Sequence, residues 1–149
     1  MSVRREYVDF RIIDEPWNRY KLADGTLLKT RIVMTDVRVI VSQKNEKSYS
    51  ANFKNCASHV IPFKNFLEPT NSAYSEDVLK SPQNLVDIGF RRESEKMNHY
   101  ELDDGSSIKA KLNITTIMKS KLPQKDGAPY YFISAPGLWW EARKPEVSK

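Results

Sequence analysis

A segment of this chain returns eighty residues after it first appears. Residues 17–37 read WNRYKLADGTLLKTRIVMTDV, and residues 97–117 read MNHYELDDGSSIKAKLNITTI. Laid over each other without a gap they share Asn18/Asn98, Tyr20/Tyr100, Leu22/Leu102, Asp24/Asp104, Gly25/Gly105, Lys29/Lys109 and Thr35/Thr115. Thr26/Ser106, Leu28/Ile108, Arg31/Lys111, Ile32/Leu112 and Val37/Ile117 are conservative pairs. An internal repeat constrains architecture before any local propensity does. The expectation is an all-β chain built by tandem duplication of a small antiparallel unit of four or five strands. It would form two pseudo-symmetric half-barrels or small barrels with little helix.

Both copies carry the same local signals. Val8-Asp9-Phe10 and Val86-Asp87-Ile88 open the units in the predicted strands 7–13 and 85–90, and RRESEK fills a gap before the second hairpin. Tyr20-Lys21-Leu22 and Tyr100-Glu101-Leu102 alternate apolar and polar, and Asp24-Gly25 and Asp104-Gly105 close the turns. Asp-Gly between alternating runs marks a hairpin, because glycine takes positive φ without a Cβ clash. Long outgoing strands follow over 27–41 and 107–119. Leu28, Thr30, Ile32 and Met34, and in the second copy Ile108, Ala110, Leu112 and Ile114, fall on one face, predicted to be the core face. Lys29, Arg31, Val33 and Thr35, with Lys109, Lys111, Asn113 and Thr115, fall on the other. After breaks at 42–47 and 122–127, strands are expected over 49–53 and 130–134, then over 59–63 and 138–142.

The units are bounded as 1–66 and 85–149. A unit of this size is marginal alone, which favours a shared core or a tight interface. The linker, 67–84, contains Pro69, Asn71, Ser72, Pro82 and Asn84, and Ser75 is placed to cap a short helix over 75–80. The polar tail, 143–149, is expected to fray.

The chain of 149 residues has a net charge of +5 and a single cysteine, Cys56, so it forms no internal disulfide. It has neither an apolar run of membrane-spanning length nor an apolar stretch behind MSVRREYVDF of the secretory kind, so the expectation is a cytoplasmic protein with no membrane partner. Asn113-Ile114-Thr115 is a sequon that has no meaning without secretion. Basic residues concentrate in the equivalent stretches 29–64 and 107–125, a balance that suits a polyanionic partner.

Catalytic chemistry has little to stand on. Cys56-Ala57-Ser58-His59 has ligand-like spacing but supplies half a zinc site, and a Cys56–His59 nucleophile pair lacks an orienting third group. His99 aligns with Arg19 and reads as a surface residue. Asp103-Asp104 is turn chemistry, and no glycine-rich phosphate loop is present. No metal, cofactor or catalytic residue is expected. Aromatic and basic residues do converge: Tyr130, Tyr131, Phe132, Trp139 and Trp140 follow the lysine-rich strand, and Trp139 and Trp140 must point to opposite faces if they lie in a strand.

Two readings follow. In the first, the chain is a non-enzymatic binding or assembly module, with a protein partner or self-association through sheet edges. The alternative is a nucleic-acid-binding β-barrel. There Lys29, Arg31, Lys109 and Lys111 meet phosphates, and Tyr130, Tyr131, Trp139 and Trp140 serve as contact aromatics. The turn assignment is testable independently: Gly25→Val and Gly105→Val should each lower stability by about 1–3 kcal/mol in urea unfolding, because a β-branched residue resists positive φ.

Overall fold

The computed structural model describes residues 3–69, 73–134 and 137–144. Linker residues 70–72 and tail residues 145–149 lie outside the described residues. The strands are β1 (Arg4–Tyr7), β2 (Phe10–Asp14), β3 (Asn18–Leu22), β4 (Leu27–Val41), β5 (Lys47–Val60), β6 (Leu85–Asp87), β7 (Phe90–Ser94), β8 (Asn98–Leu102), β9 (Ser107–Asn113), β10 (Thr116–Ser120), β11 (Tyr131–Ser134) and β12 (Gly137–Arg143). Helix is confined to short turns, among them α1 (Glu76–Leu79), where Ser75 accepts a hydrogen bond from the Val78 N–H. The fold is therefore all-β.

Three antiparallel sheets form, and none closes on itself, so closed barrels are absent among the described residues. The first runs β7-β3-β4-β5, with β1 beside the later part of β4. The second runs β2-β8-β9-β12, and the third β6-β10-β11. The two hairpins share one register: Asn18 faces Thr30, and Asn98 faces Ala110. Gly25 and Gly105 have φ of +90° and +86°, as the turn chemistry requires.

Strands cross between the two halves of the chain. β2 pairs with β8, Phe10 opposite Leu102, and β7 pairs with β3, Phe90 opposite Leu22. The crossing extends to single bonds: the Ala23 N–H donates to the Gly89 carbonyl, and the Asp103 N–H donates to the Asp9 carbonyl. Other contacts repeat within each half at the same eighty-residue offset. Val8 N–H donates to Val37 O, and Ile88 N–H to Ile117 O.

Several expected strand boundaries shift. The opening strands break at residues 8–9 and 88–89, where those bonds and crossings redirect the chain. RRESEK is no gap: its first residues belong to β7, because β3 needs a second neighbour. The strands expected over 49–53 and 59–63 are one continuous β5 that ends at Val60, and residues 63–65 form a 3₁₀ turn. The second outgoing strand is interrupted between β9 and β10, where the Ile114 carbonyl accepts from Arg92. The first copy has a register shift between Met34 and Asp36 at the matching place.

Alternation is realised in the core. Tyr20, Leu22, Leu28 and Ile32 pack with Ala110, Leu112, Ile114, Ile117 and Tyr131, and Met34 and Val37 pack with Tyr100, Leu102 and Ile108. Both clusters mix residues from early and late in the chain, so burial ties the halves together. Gly127 pins the linker as well. Its carbonyl accepts from the Leu67 N–H at 2.8 Å, and a Cβ there would sit 1.9 Å from the Leu67 carbonyl oxygen.

The aspartates of the turns are clasped by tyrosines. Tyr131 donates to Asp24, which also receives Lys119 at 2.9 Å, and Tyr49 donates to Asp104 at 2.6 Å. Burial pushes the Asp24 carboxyl up, but bonds from Tyr131, the Thr26 N–H and Lys119 outweigh it and hold the pKa at about 2, against an ordinary 3.8. A depressed carboxylate stabilises the fold above its unfolded pKa, and that contribution disappears as the group protonates. Urea unfolding should therefore show stability falling from pH 3.8 towards about 2. Asp24→Asn should remove much of this acid-labile component, leaving the shares from Asp104 and Glu95, whose pKa values are also lowered.

Candidate functional site

The structure separates the eight residues singled out from the sequence. Residues directly opposed across strands share a face. On the outer face of β7-β3-β4-β5, the pairings place Arg91 beside Lys21, Arg19 beside Lys29, Lys29 beside Ser58, Arg31 beside Cys56, and Val33 beside Lys54. Trp17, 40% exposed, lies on this face, with Lys29 Nζ at 5.6 Å and Arg31 Cζ at 5.8 Å from its ring centre.

Lys109, Lys111 and Trp139 occupy the outer face of a different sheet, β2-β8-β9-β12, where Lys111 opposes Trp139 and Lys109 opposes Glu141. Trp139 is 40% exposed, whereas Trp140 packs into the core beside Phe53. Tyr131 is buried in its clasp on Asp24, and Tyr130 bonds Glu76 of α1. No single surface collects all eight.

Two of the four sequence-selected cations are already engaged. Arg31 pairs with Glu15 at 2.9 Å, and Lys111 pairs with Glu95 at 2.7 Å. Glu15 is only 4% exposed at its side chain, and its other oxygen accepts from the Tyr100 hydroxyl at 2.7 Å. Glu95 accepts from the Tyr20 hydroxyl at 2.9 Å and also meets Arg92 at 3.3 Å. Burial and the Glu15 bond push the Tyr100 hydroxyl up to about 12. For Glu95, burial raises the pKa, but the bonds from Lys111 and Tyr20 win and hold it below the usual range. Glu15 and Glu95 stand eighty residues apart, two positions upstream of the repeated window, and the eighty-residue offset extended that far upstream is the signal that marks them.

Arg19, Lys21, Lys29 and Lys54 are different. None of them pairs with a carboxylate among the described residues. The matching positions of the other sheet are not comparably basic: His99 stands for Arg19, Glu101 for Lys21 and Glu141 for Ser58. There Arg11 pairs with Glu101, and Arg143 pairs with Glu141 at 2.6 Å. Positive charge is thus concentrated on one sheet face and largely neutralised on its counterpart. Sequence reading selected Lys29 and Arg31 on this face but missed Arg19, Lys21, Lys54, Arg91 and Trp17, since cross-strand neighbours are distant in sequence.

Elsewhere, Cys56 and His59 fall on opposite faces of β5. His59 stacks on the Tyr131 ring at 5.3 Å, and burial lowers its pKa. No group of three or more metal-ligating side chains occurs among the described residues, and no helix there is long and apolar enough to cross a membrane. A cleft of about 380 Å³ is lined by Leu67, Val86, Ile88 and Leu122, but its Lys119 is held by Asp24.

The ion pairs yield a split between structural and surface cations. Arg31→Gln and Lys111→Gln should each cost about 1–3 kcal/mol in urea unfolding, because a largely buried carboxylate loses its nearest cation. Lys29→Gln and Lys109→Gln should fall within about 0.5 kcal/mol of the parent.

Comparison with protein-family models, with curated proteins and with solved structures returned no match, so the functional reading rests on the chemistry of this chain.

Proposed function

We propose that this chain is a non-enzymatic binding module, built from a duplicated β unit, whose β7-β3-β4-β5 face binds single-stranded nucleic acid. The eighty-residue offset of the strand pairings supports the duplication. One observation carries the ligand assignment. Arg19, Lys21, Lys29 and Lys54 lie on one sheet face with the half-exposed Trp17 and with no carboxylate partner among the described residues, while the counterpart face balances its charges. A cationic sheet with an aromatic platform suits a flexible phosphate backbone and stacked bases. Lys109, Lys111 and Trp139 belong to the other face and are left out of this contact. The second edge of β5, which has no strand neighbour among the described residues, supports a second reading in which a protein partner or another copy adds a strand there.

The test is fluorescence anisotropy with mixed-sequence single-stranded DNA and RNA across a salt series. Replacing Arg19, Lys21, Lys29 and Lys54 with Gln should reduce affinity and flatten the salt slope by roughly 0.7 for each phosphate that is no longer neutralised. Trp17→Ala should cost about 1–3 kcal/mol if a base stacks there. Absence of binding at low salt overturns the assignment. Equal binding of heparin, together with indifference to Trp17→Ala, reduces the face to a general polyanion surface.

A further inference from the structure

β5 is bonded along its length to β4 and has no strand on its other side among the described residues. It spans 14 residues, contains no proline, and carries only Lys47 and Lys54 as charged side chains. Proteins usually blunt such edges with charges, bulges or cover, because unpaired N–H and C=O groups template another strand.

The two sides of this edge differ. Asn55, Ala57 and His59 oppose the buried Ile32, Thr30 and Leu28, so they sit on the core side of the sheet; His59 stacks on Tyr131, while Asn55 and Ala57 remain exposed. Beside them is a slot of about 190 Å³ lined by Thr30, Asn55, Cys56, Ala57, Leu112 and Ile133. The facing strand β11 lies across this side without pairing to β5: Ile133 forms one wall of the slot, the Tyr131 ring stacks on His59, and β11 pairs with β10 among the described strands. On the opposite, outer side the edge presents Lys54, with Lys29 and Arg31 one strand further in.

We infer that the β5 edge accepts an added strand from a protein partner whose side chains alternate apolar and acidic. This rests on the second reading of β5; its acidic half shares Lys54 with the basic sheet face, and its apolar half, over the slot, does not. A strand paired to β5 turns alternate side chains to opposite faces. Those beside Asn55 and Ala57 point over the slot, whose aliphatic walls suit Val or Ile. Those beside Lys54 and Cys56 enter the field of the basic sheet face, where carboxylates are favoured and lysines repelled. Main-chain bonds supply affinity and the alternating pockets supply specificity, as in other strand-addition sites. A second copy of this chain fits less well, since antiparallel pairing of β5 with itself sets two basic faces side by side.

The probe is a fluorescein-labelled ten-residue peptide of alternating Val and Glu, read by anisotropy, with hydrogen exchange monitored along β5. The expected result is binding with slowed exchange in β5, and at least about tenfold weaker binding for alternating Val and Lys. Ala57→Asp, at an exposed position of the slot, should weaken the Val-Glu peptide by a similar factor while leaving single-stranded DNA binding unchanged. Equal binding of a ten-residue polyglutamate, without protection of β5, would show plain charge attraction and overturn the inference. Equal binding of Val-Lys and Val-Glu peptides, with β5 protected, would preserve the strand-addition reading but overturn the acidic specificity. Failure of every peptide to protect β5 would overturn both, as would concentration-dependent dimerisation that protects β5 in the absence of peptide.

Discussion

The hydroxyls of Tyr20 and Tyr100 lie deep inside this protein, and each must find a partner there. Tyr20 and Tyr100 are fully buried, and a buried hydroxyl without a hydrogen bond is costly. Tyr20 reaches Glu95, and Tyr100 reaches Glu15, so each carboxylate comes from the half of the chain that does not hold the tyrosine. The glutamates are brought in at the ends of β2 and β7, the strands that cross over to pair with the opposite hairpin. Once seated they draw in Arg31 and Lys111, which explains why the alternation-derived outer face is not uniformly free charge. Asn98 completes one side, donating to the Tyr100 hydroxyl and to the Ile32 carbonyl.

What a reader extracts from the sequence follows from the range of the forces involved. The Asp-Gly turns and the alternation of Ile108, Ala110, Leu112 and Ile114 are local, and the structure realises both. The crossing of β2 and β7 is not local. Phe10 meets Leu102, and nothing near either residue encodes that choice. The repeat favours pairing within a unit as much as between units, since either would give β3 and β8 an outer neighbour and a carboxylate. At the interruption near Ile114 the freed carbonyl finds its donor far away in sequence, in the Arg92 side chain.

The candidate face shows the same limit. Lys29 is legible because it alternates within one strand. Arg19, Lys21, Lys54 and Arg91 join it only through pairing, from three other strands. Conversely, Tyr130, Tyr131, Trp139 and Trp140 are neighbours in sequence and are dispersed by the fold: one to a hydrogen bond with α1, one to a turn clasp, one to an outer face and one to the core. Clustering along a chain that folds into sheets is weak evidence for clustering in space, since each strand sends its residues two ways.

The strand exchange bears on how the chain comes to be folded at all. During synthesis the first hairpin emerges with its outer position empty, because β7 has not yet been made. β2 must wait still longer, since its partner begins at Asn98. A nascent first half therefore holds an open strand edge and a buried-to-be tyrosine whose native partner, Glu95, has not yet been made. Closing loops of this length costs entropy before any contact repays it, so folding should be slow and must wait for the second hairpin to be made. In that interval the free edges of two nascent chains can satisfy each other, and polysome-borne neighbours become the main competitors of the native pairing.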